Sequence, residues 1–513
     1  MYFAQVAVFS ILMLAKLVRP FRLLSSSGIT FGSSSTLESA VPATTTFIDS
    51  INQRNSEQNV TTNNLGKDTN LGVLFLNLGG PETLQDVEGF LYNLFADPDI
   101  IRLPPVINIL QAPLAYFIAK TRGPKSAKAY ESIGGGSPIV KYTREQSRLV
   151  EDALRKKGFE RTRCYFAMRY WHPFTDEVLN HMKADGIDTV VVVPLYPHFS
   201  VSTSGSSLKL LQQMFSKQAK LWGTQSKVVH TVVPSWHRRP GYINTMAKLV
   251  LQQLAQYTEA EMKEGLHVLY SAHGVPESYI KNGDPYQKHI TECVALISQE
   301  VSRRLASDSL RPKNISARTG NKLAGEFAKG LLSKSGETLL SAAQKIFCEN
   351  ITDAASPAAS AETCVSDSNA RQEVKPVRYH LSFQSRVGPV QWLRPYTDDK
   401  IRDLGNIQKV RNLVTVPVSF VSEHIETLEE IDMEYRELAE ECGVTQWRRA
   451  PALNTDPDFI ADLANIVVEA MTAPTISVTE AASKRYQDSL LAQQYTVEGM
   501  TMGLPDSAVK GNR

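Results

Sequence analysis

The stretch SEHIETLEEIDMEY, residues 422–435, sets a histidine among five glutamates and an aspartate, directly after the apolar run TVPVSFV. On a helix turning 100° per residue, Glu423, Glu426, Glu430, Glu434, Glu437 and Glu441 form one stripe. Ile425, Leu428, Ile431, Tyr435, Leu438 and Cys442 cover a face well away from it. Such a stripe is either a solvated helix face or a port for a cation. Glu434, Glu437 and Glu441 read as the solvated part. Glu423, Glu426 and Glu430 lie nearest the strand end, where stacked carboxylates repel one another and a cation or proton relieves the repulsion. In SAHGVP (271–276), His273 closes the strand HVLY, either as a capping residue or as a partner for those carboxylates. An imidazole and a carboxylate across a cleft suit a borderline divalent cation such as Fe(II), and imidazole also takes up protons near neutral pH.

Two further stretches read as pocket walls. AMRYWHPF (167–174) puts Arg169 beside Tyr170 and Trp171, and TRGPKSAKAYESIGGGSP (121–138) offers Arg122, Lys125, Lys128, Tyr130 and a glycine loop closing on Ser137. STSGSS (202–207) is either an anion cradle or a turn with a helix cap. GGGS lacks the Gly-Lys-Ser/Thr of a P-loop and NLGGPE lacks the dinucleotide spacing, which excludes nucleotide binding. The apolar segment 89–122 is core, a lip over a hydrophobic cleft, or a surface that rests on a membrane.

The elements that position these residues are short Val- and Leu-rich runs: GVLFLNL (72–78), DTVVVVPLY (188–196), VVHTVVPSW (228–236), HVLYSAH (267–273) and LVTVPVSF (413–420). Continuously apolar strands separated by helical stretches predict an α/β, doubly wound fold with parallel sheets. Ligands in such sheets bind beyond the carboxyl ends of strands, where NLGGPE, YPHFSVSTSGSS, SAHGVPES and SEHIETL stand.

A chain of 513 residues predicts two domains plus extensions. A net charge of +2, without a basic run, gives no reason to expect nucleic acid. Five dispersed cysteines argue for reduced thiols rather than a disulfide framework or a zinc site. Residues 1–68, apolar and basic and then Ser/Thr-rich, read as a targeting segment, with a short membrane anchor as the alternative. Residues 306–376 are rich in Ser, Ala, Lys and Asn and read as a flexible insertion. Residues 476–513 read as a polar tail with no apolar anchor.

GVLFLNLGGPETL, FLYNLFADPDIIRLP, IGGGSP, MRYWHPFT, VVPLYPHFS, STSGSS, SAHGVP, GDPY, FQSRVGPVQWLRPYTD and VPVSFVSEHIETLEEIDMEYRELA together resemble the ferrochelatases, nearest the plant and algal type. The resemblance runs from about Leu71 to Met471, outside the insertion. It implies two Rossmann-like domains, 69–238 and 239–475, enclosing a porphyrin cleft, and a lyase that inserts Fe(II) into protoporphyrin IX, the terminal step of haem biosynthesis. It implies His273 and Glu426 as the central pair, Glu430 and Glu423 continuing a metal path, and Leu78, Arg122, Tyr130, Ser137, Arg169, Tyr170, Ser422 and His424 at the porphyrin. Iron is then a substrate, not a resident cofactor. No cysteine follows Cys442, so no [2Fe-2S] cluster of the animal kind is expected, and the chain is expected to be a monomer. The expected location is a plastid, or else a mitochondrion, soluble or touching a membrane through the 90–121 lip. The alternatives are a non-catalytic tetrapyrrole or haem carrier on this fold, or a chelatase for another tetrapyrrole or metal.

Overall fold

Strands that are apolar on both faces must be covered on both, and the chain meets this demand with two parallel sheets. The computed structural model describes residues 69–306 and 376–502, except 102, 219–221, 223–227, 387–389, 494, 498 and 499. The expected targeting segment and nearly all of the expected insertion lie outside the described residues.

The first sheet comprises β1 (Leu71–Asn77), β2 (Arg163–Met168), β3 (Thr189–Pro194) and β4 (Val229–Val232), in the order β2-β1-β3-β4. The second repeats that order, β6-β5-β7-β8, with β5 (His267–His273), β6 (Arg378–Gln384), β7 (Asn412–Pro417) and β8 (Gln446–Arg449). All pairings within the two sheets are parallel. In each sheet the chain starts on an inner strand, moves to one edge, then crosses back, so the first strand borders a topological switch point. In the second sheet that strand is β5, which ends in His273.

The helices are α1 (Val87–Ala96), α2 (Gln111–Ser132), α3 (Ile139–Lys156), α4 (Thr175–Ala184), α5 (Ser204–Lys217), α6 (Pro240–Leu254), α7 (Glu259–Glu264), α8 (Glu277–Lys281), α9 (Tyr286–Ala306), α10 (Thr397–Arg402), α11 (Tyr435–Glu441), α12 (Pro457–Thr472), α13 (Val478–Ala481) and α14 (Lys484–Ala492). Alternate strand residues face opposite layers. Val73, Phe75, Val191 and Val193 of the first sheet share one core with Val268, Tyr270, Val414 and Val416 of the second, through Tyr242 of α6, Ile290 and Val294 of α9, and Leu463 and Val467 of α12. Leu74, Leu76, Val190 and Val192 pack instead on α4 and α5. Leu269 and Leu413 pack on Ile401 of α10 and Ala439 of α11.

The stretch from Ile476 corrects the expectation of a tail without an apolar anchor. Val478, Ala481 and Leu490 are buried in the core of the first sheet. The Val232 amide donates to the Ile476 carbonyl at 2.9 Å, so the segment covers the β4 edge. Two short helices, each capped by a serine (Ser477, Ser483), hide this anchoring, because neither is long enough to display a periodic apolar face. Lys288 of α9, itself buried, donates to the carbonyls of Leu491 (2.9 Å) and Gln493 (2.6 Å) at the end of α14. A cation is favoured at that helix end. No helix among the described residues is long and apolar enough to cross a membrane.

Replacing Lys288 by Met should lower the unfolding free energy of the full chain by about 2 kcal/mol, the scale of a lost charged hydrogen-bond donor. Val478→Ala should cost about 1 kcal/mol. Urea denaturation reads both, and unchanged midpoints would mean that the arm is not docked.

Candidate active site

Three strand ends meet at one place: β5 at His273, β6 at Gln384 and β7 at Pro417. The His273 amide donates to Ser419 Oγ (3.1 Å), and the Tyr286 hydroxyl donates to the His273 carbonyl (2.9 Å) while lying 2.8 Å from Ser419 Oγ. These contacts fix the backbone from which the imidazole projects. Its Nδ1 lies 2.9 Å from Glu426 Oε2, which leaves Nε2 as the nitrogen available to a ligand. The His273 side chain keeps 36% of its surface accessible and Glu426 22%, so the pair faces a cleft rather than the core.

Glu426 opens a π-helix, Glu426–Glu434, that runs on into α11. Its hydrogen bonds span five residues instead of four, a rare coil that recurs at functional sites. The wider coil brings Glu426, Glu430 and Tyr435 to one side. Glu430 accepts from the Ser385 amide (3.1 Å), Ser385 Oγ (2.7 Å), Gln384 Nε2 (3.2 Å) and the Tyr435 hydroxyl (3.0 Å). Ser385 Oγ also lies 3.3 Å from Glu426 Oε2. Sequence reasoning did not single out Ser385. It sits just past β6 at φ 63°, a left-handed conformation that is uncommon for serine. That turn aims both its amide and its hydroxyl at the carboxylates.

Electrostatics divide the three groups. Desolvation works against charge on His273, but Glu426 outweighs it and leaves the imidazole with a raised proton affinity. Desolvation also opposes charge on Glu426, yet the His273 charge and hydrogen bond draw its carboxyl down to about 2. Glu430 is pushed up to about 7, first by desolvation and then by Glu426. The site therefore holds an ion pair beside a carboxyl that exchanges its proton near neutral pH. Among the described residues, no three His, Cys, Asp or Glu side chains lie close enough to hold a metal ion together. Cys164, Cys293 and Cys442 are free thiols.

The other expected site residues differ in their surroundings. Tyr130 of α2 is buried close enough to Glu426 for that charge to help raise its hydroxyl pKa, after desolvation. Leu78 packs on the same apolar cluster as Tyr130, and so does Ile425, the neighbour of Glu426. Ser137 backs the loop after β1: its amide donates to the Pro81 carbonyl (2.7 Å), and a Cβ on Gly80 would lie 2.6 Å from Ser137 Cβ. Arg122 is exposed, 5.6 Å from the Phe95 ring.

Five further residues have their side chains engaged within the protein. Glu423 precedes the helix and is buried. Its carboxylate accepts from Arg449 Nη1 (2.8 Å), the Ala452 amide (3.0 Å) and Thr427 Oγ1, so it is already neutralised and is not part of the His273 cluster. Ser422 and His424 are packed inside the same turn, Ser422 against Gln146 (3.0 Å) and His424 against the Phe420 ring (4.2 Å). Arg169 and Tyr170 converge on buried Asp97, at 2.8 and 2.7 Å, where Ser206 Oγ also donates (2.9 Å). That carboxylate ties the end of α1 to β2 and α5, and Tyr170 is 1% exposed. No local pattern links Asp97 to its partners 72, 73 and 109 residues away.

The apolar segment 89–122 is part core and part exposed surface. Phe90 and Leu91 are buried, whereas Val106, Ile109, Leu110, Tyr116 and Phe117 are exposed.

Comparison with known proteins agrees with this geometry. The model of the family described as Ferrochelatase matches residues 70–312 and 350–471. The break at 313–349 falls inside the stretch read as an insertion. Ferrochelatase-2, chloroplastic, of Arabidopsis thaliana is 42% identical over 450 residues, covering 88% of this chain and 69% of its own. Ferrochelatase of Nostoc sp. (strain PCC 7120 / SAG 25.82 / UTEX 2576) is 40% identical over 439 residues, covering 85% and 91%. Ferrochelatase-2, chloroplastic, of Oryza sativa subsp. indica is 44% identical over 402 residues, covering 78% and 62%. With two parallel sheets of one topology meeting these matches over most of its length, the chain belongs to the ferrochelatase family.

Proposed function

We propose that this chain inserts Fe(II) into protoporphyrin IX, as the terminal step of haem biosynthesis, through His273, Glu426 and Glu430. It is a lyase, and the porphyrin and Fe(II) are its substrates. The observation that carries the residue assignment is the 2.9 Å contact between His273 and Glu426, with Ser385 Oγ joining Glu430 (2.7 Å) to Glu426 (3.3 Å) beside it.

The reaction exchanges one dication for the two protons on the pyrrole nitrogens. A cation arriving beside Glu430 displaces its proton, because a metal competes for the deprotonated ligand. Moving on to Glu426, the cation replaces imidazolium as the counter-charge, and His273 then releases its proton. The neutral imidazole, with Nε2 free, can accept one pyrrole proton, pass it to solvent and then accept the second. Tyr130, Leu78, Ser137 and Arg122 form the proposed contacts to the macrocycle, an apolar wall with a hydroxyl and a guanidinium for carboxylates.

Residues 69–238, carrying β1–β4, and 239–475, carrying β5–β8, are the proposed halves. The exposed apolar residues of the lip support contact with a membrane surface, where an apolar porphyrin dissolves. The chloroplastic relatives support a plastid location.

Three outcomes test the assignment, each by anaerobic Fe(II) insertion into protoporphyrin IX followed by absorbance. Glu426→Gln should lower turnover by at least about 100-fold while porphyrin still binds, the scale of a lost acid–base group. Wild-type turnover would remove Glu426 from the reaction, and a parent that binds porphyrin without ever metallating it would favour a carrier. His273→Ala should lose activity by about as much. For Glu430 the sign follows from its raised pKa: the parent should slow as pH falls through about 7. Glu430→Gln, a mimic of the protonated form, should lack that limb and stay at the low-pH rate.

A further inference from the structure

A nine-residue π-helix is an unfavourable coil that something outside its own hydrogen bonds must hold. Arg449, the last residue of β8, reaches Glu423, three residues ahead of that helix, and Asp432, two residues before its last. Its Nη1 donates to Glu423 Oε1 at 2.8 Å, and its Nε stands at ion-pair distance from Asp432 Oδ2, 3.3 Å, without hydrogen-bond alignment. The Arg449 and Glu423 side chains are 11% and 7% exposed, and Asp432 is 27% exposed. Asp432 also pairs with Arg436, one turn on. Arg449 is paired in register with Thr415 of β7, so its backbone is fixed by the same sheet that carries His273 on β5. Between Glu423 and Asp432 in the chain lie Glu426 and Glu430.

We propose that Arg449 is a positioning residue for the cation path: by tying Glu423 and Asp432 to the sheet, it holds Glu426 against His273 and Glu430 against Ser385. This rests on the reading of Glu426 and Glu430 as the groups that handle iron. Arg449 touches neither of them, so its effect is on placement. The planar guanidinium serves two carboxylates from different nitrogens, whereas a lysine offers one point of charge. A lysine at 449 can still neutralise buried Glu423 but cannot span to Asp432, which separates neutralisation from the two-point grip.

The test uses the full-length chain with Arg449→Lys, Arg449→Ala and Asp432→Asn, measuring KM for Fe(II), KM for protoporphyrin IX, kcat, and the folded fraction by circular dichroism. Arg449→Lys should raise KM for Fe(II) about tenfold, as expected for ligands displaced by a fraction of an ångström, with KM for porphyrin within about twofold. Asp432→Asn, which cuts one arm and leaves Glu423 neutralised, should shift KM for Fe(II) in the same direction by about threefold. Arg449→Ala leaves Glu423 charged and buried; if it does not fold, the other two variants still decide. Wild-type KM for Fe(II) in Arg449→Lys, or activity falling only in proportion to the folded fraction, would overturn the inference. Glu426→Gln and Glu430→Gln variants that metallate porphyrin normally would instead overturn the reading on which it rests.

Discussion

One imidazole can neutralise one carboxylate, and the cleft presents two. His273 pairs with Glu426, so among the described residues Glu430 has no ion pair of its own and feels the His273 charge only weakly. Four neutral hydrogen-bond donors hold Glu430 instead, enough to orient it but not to keep it ionised at neutral pH. The result is a site with one carboxylate held charged by an imidazole of raised proton affinity, and a second carboxyl of raised proton affinity beside it. On the proposed reading, a divalent cation would change that distribution more than any monovalent group can, because it would satisfy both carboxylates and free the imidazole.

The rest of the fold serves this arrangement. The switch-point topology brings β5, β6 and β7 to one edge, and each contributes through the residues at or after its end. The π-helix places Glu430 and Tyr435 on the side of Glu426. Asp97 performs a comparable task on the opposite wall, where one buried carboxylate oxygen gathers Arg169, Tyr170 and Ser206 and fixes the base of the lip. Both walls thus use a buried charge that is fully paired as an anchor, and leave less completely paired groups facing the cleft.

Much of this was legible in the sequence because parallel strands announce themselves as unbroken apolar runs, and their carboxyl ends are where polar residues matter. His273, Glu426 and Glu430 stood at such ends. What a helical wheel could not distinguish was Glu423 from Glu426: both lie on the same stripe at 100° per residue, yet Glu423 precedes the helix and turns toward β8. Nor does composition reveal a π-helix, since its residue types match those of an ordinary charged helix. Ser385 went unnoticed because its contribution comes from a backbone conformation, and the link from Arg169 and Tyr170 to Asp97 went unseen because that partner lies far away in sequence. The arm from Ile476 to Ala492 was hidden by the shortness of its helices.

The central claim is the unequal sharing of protons between Glu426 and Glu430, and infrared difference titration of the carboxyl bands measures it directly. One carboxyl band titrating near pH 7, absent in Glu430→Gln and retained in a variant of an exposed glutamate such as Glu437, is the expected result. A site in which no carboxyl titrates near neutral pH, or in which the titrating band survives Glu430→Gln, would contradict the account.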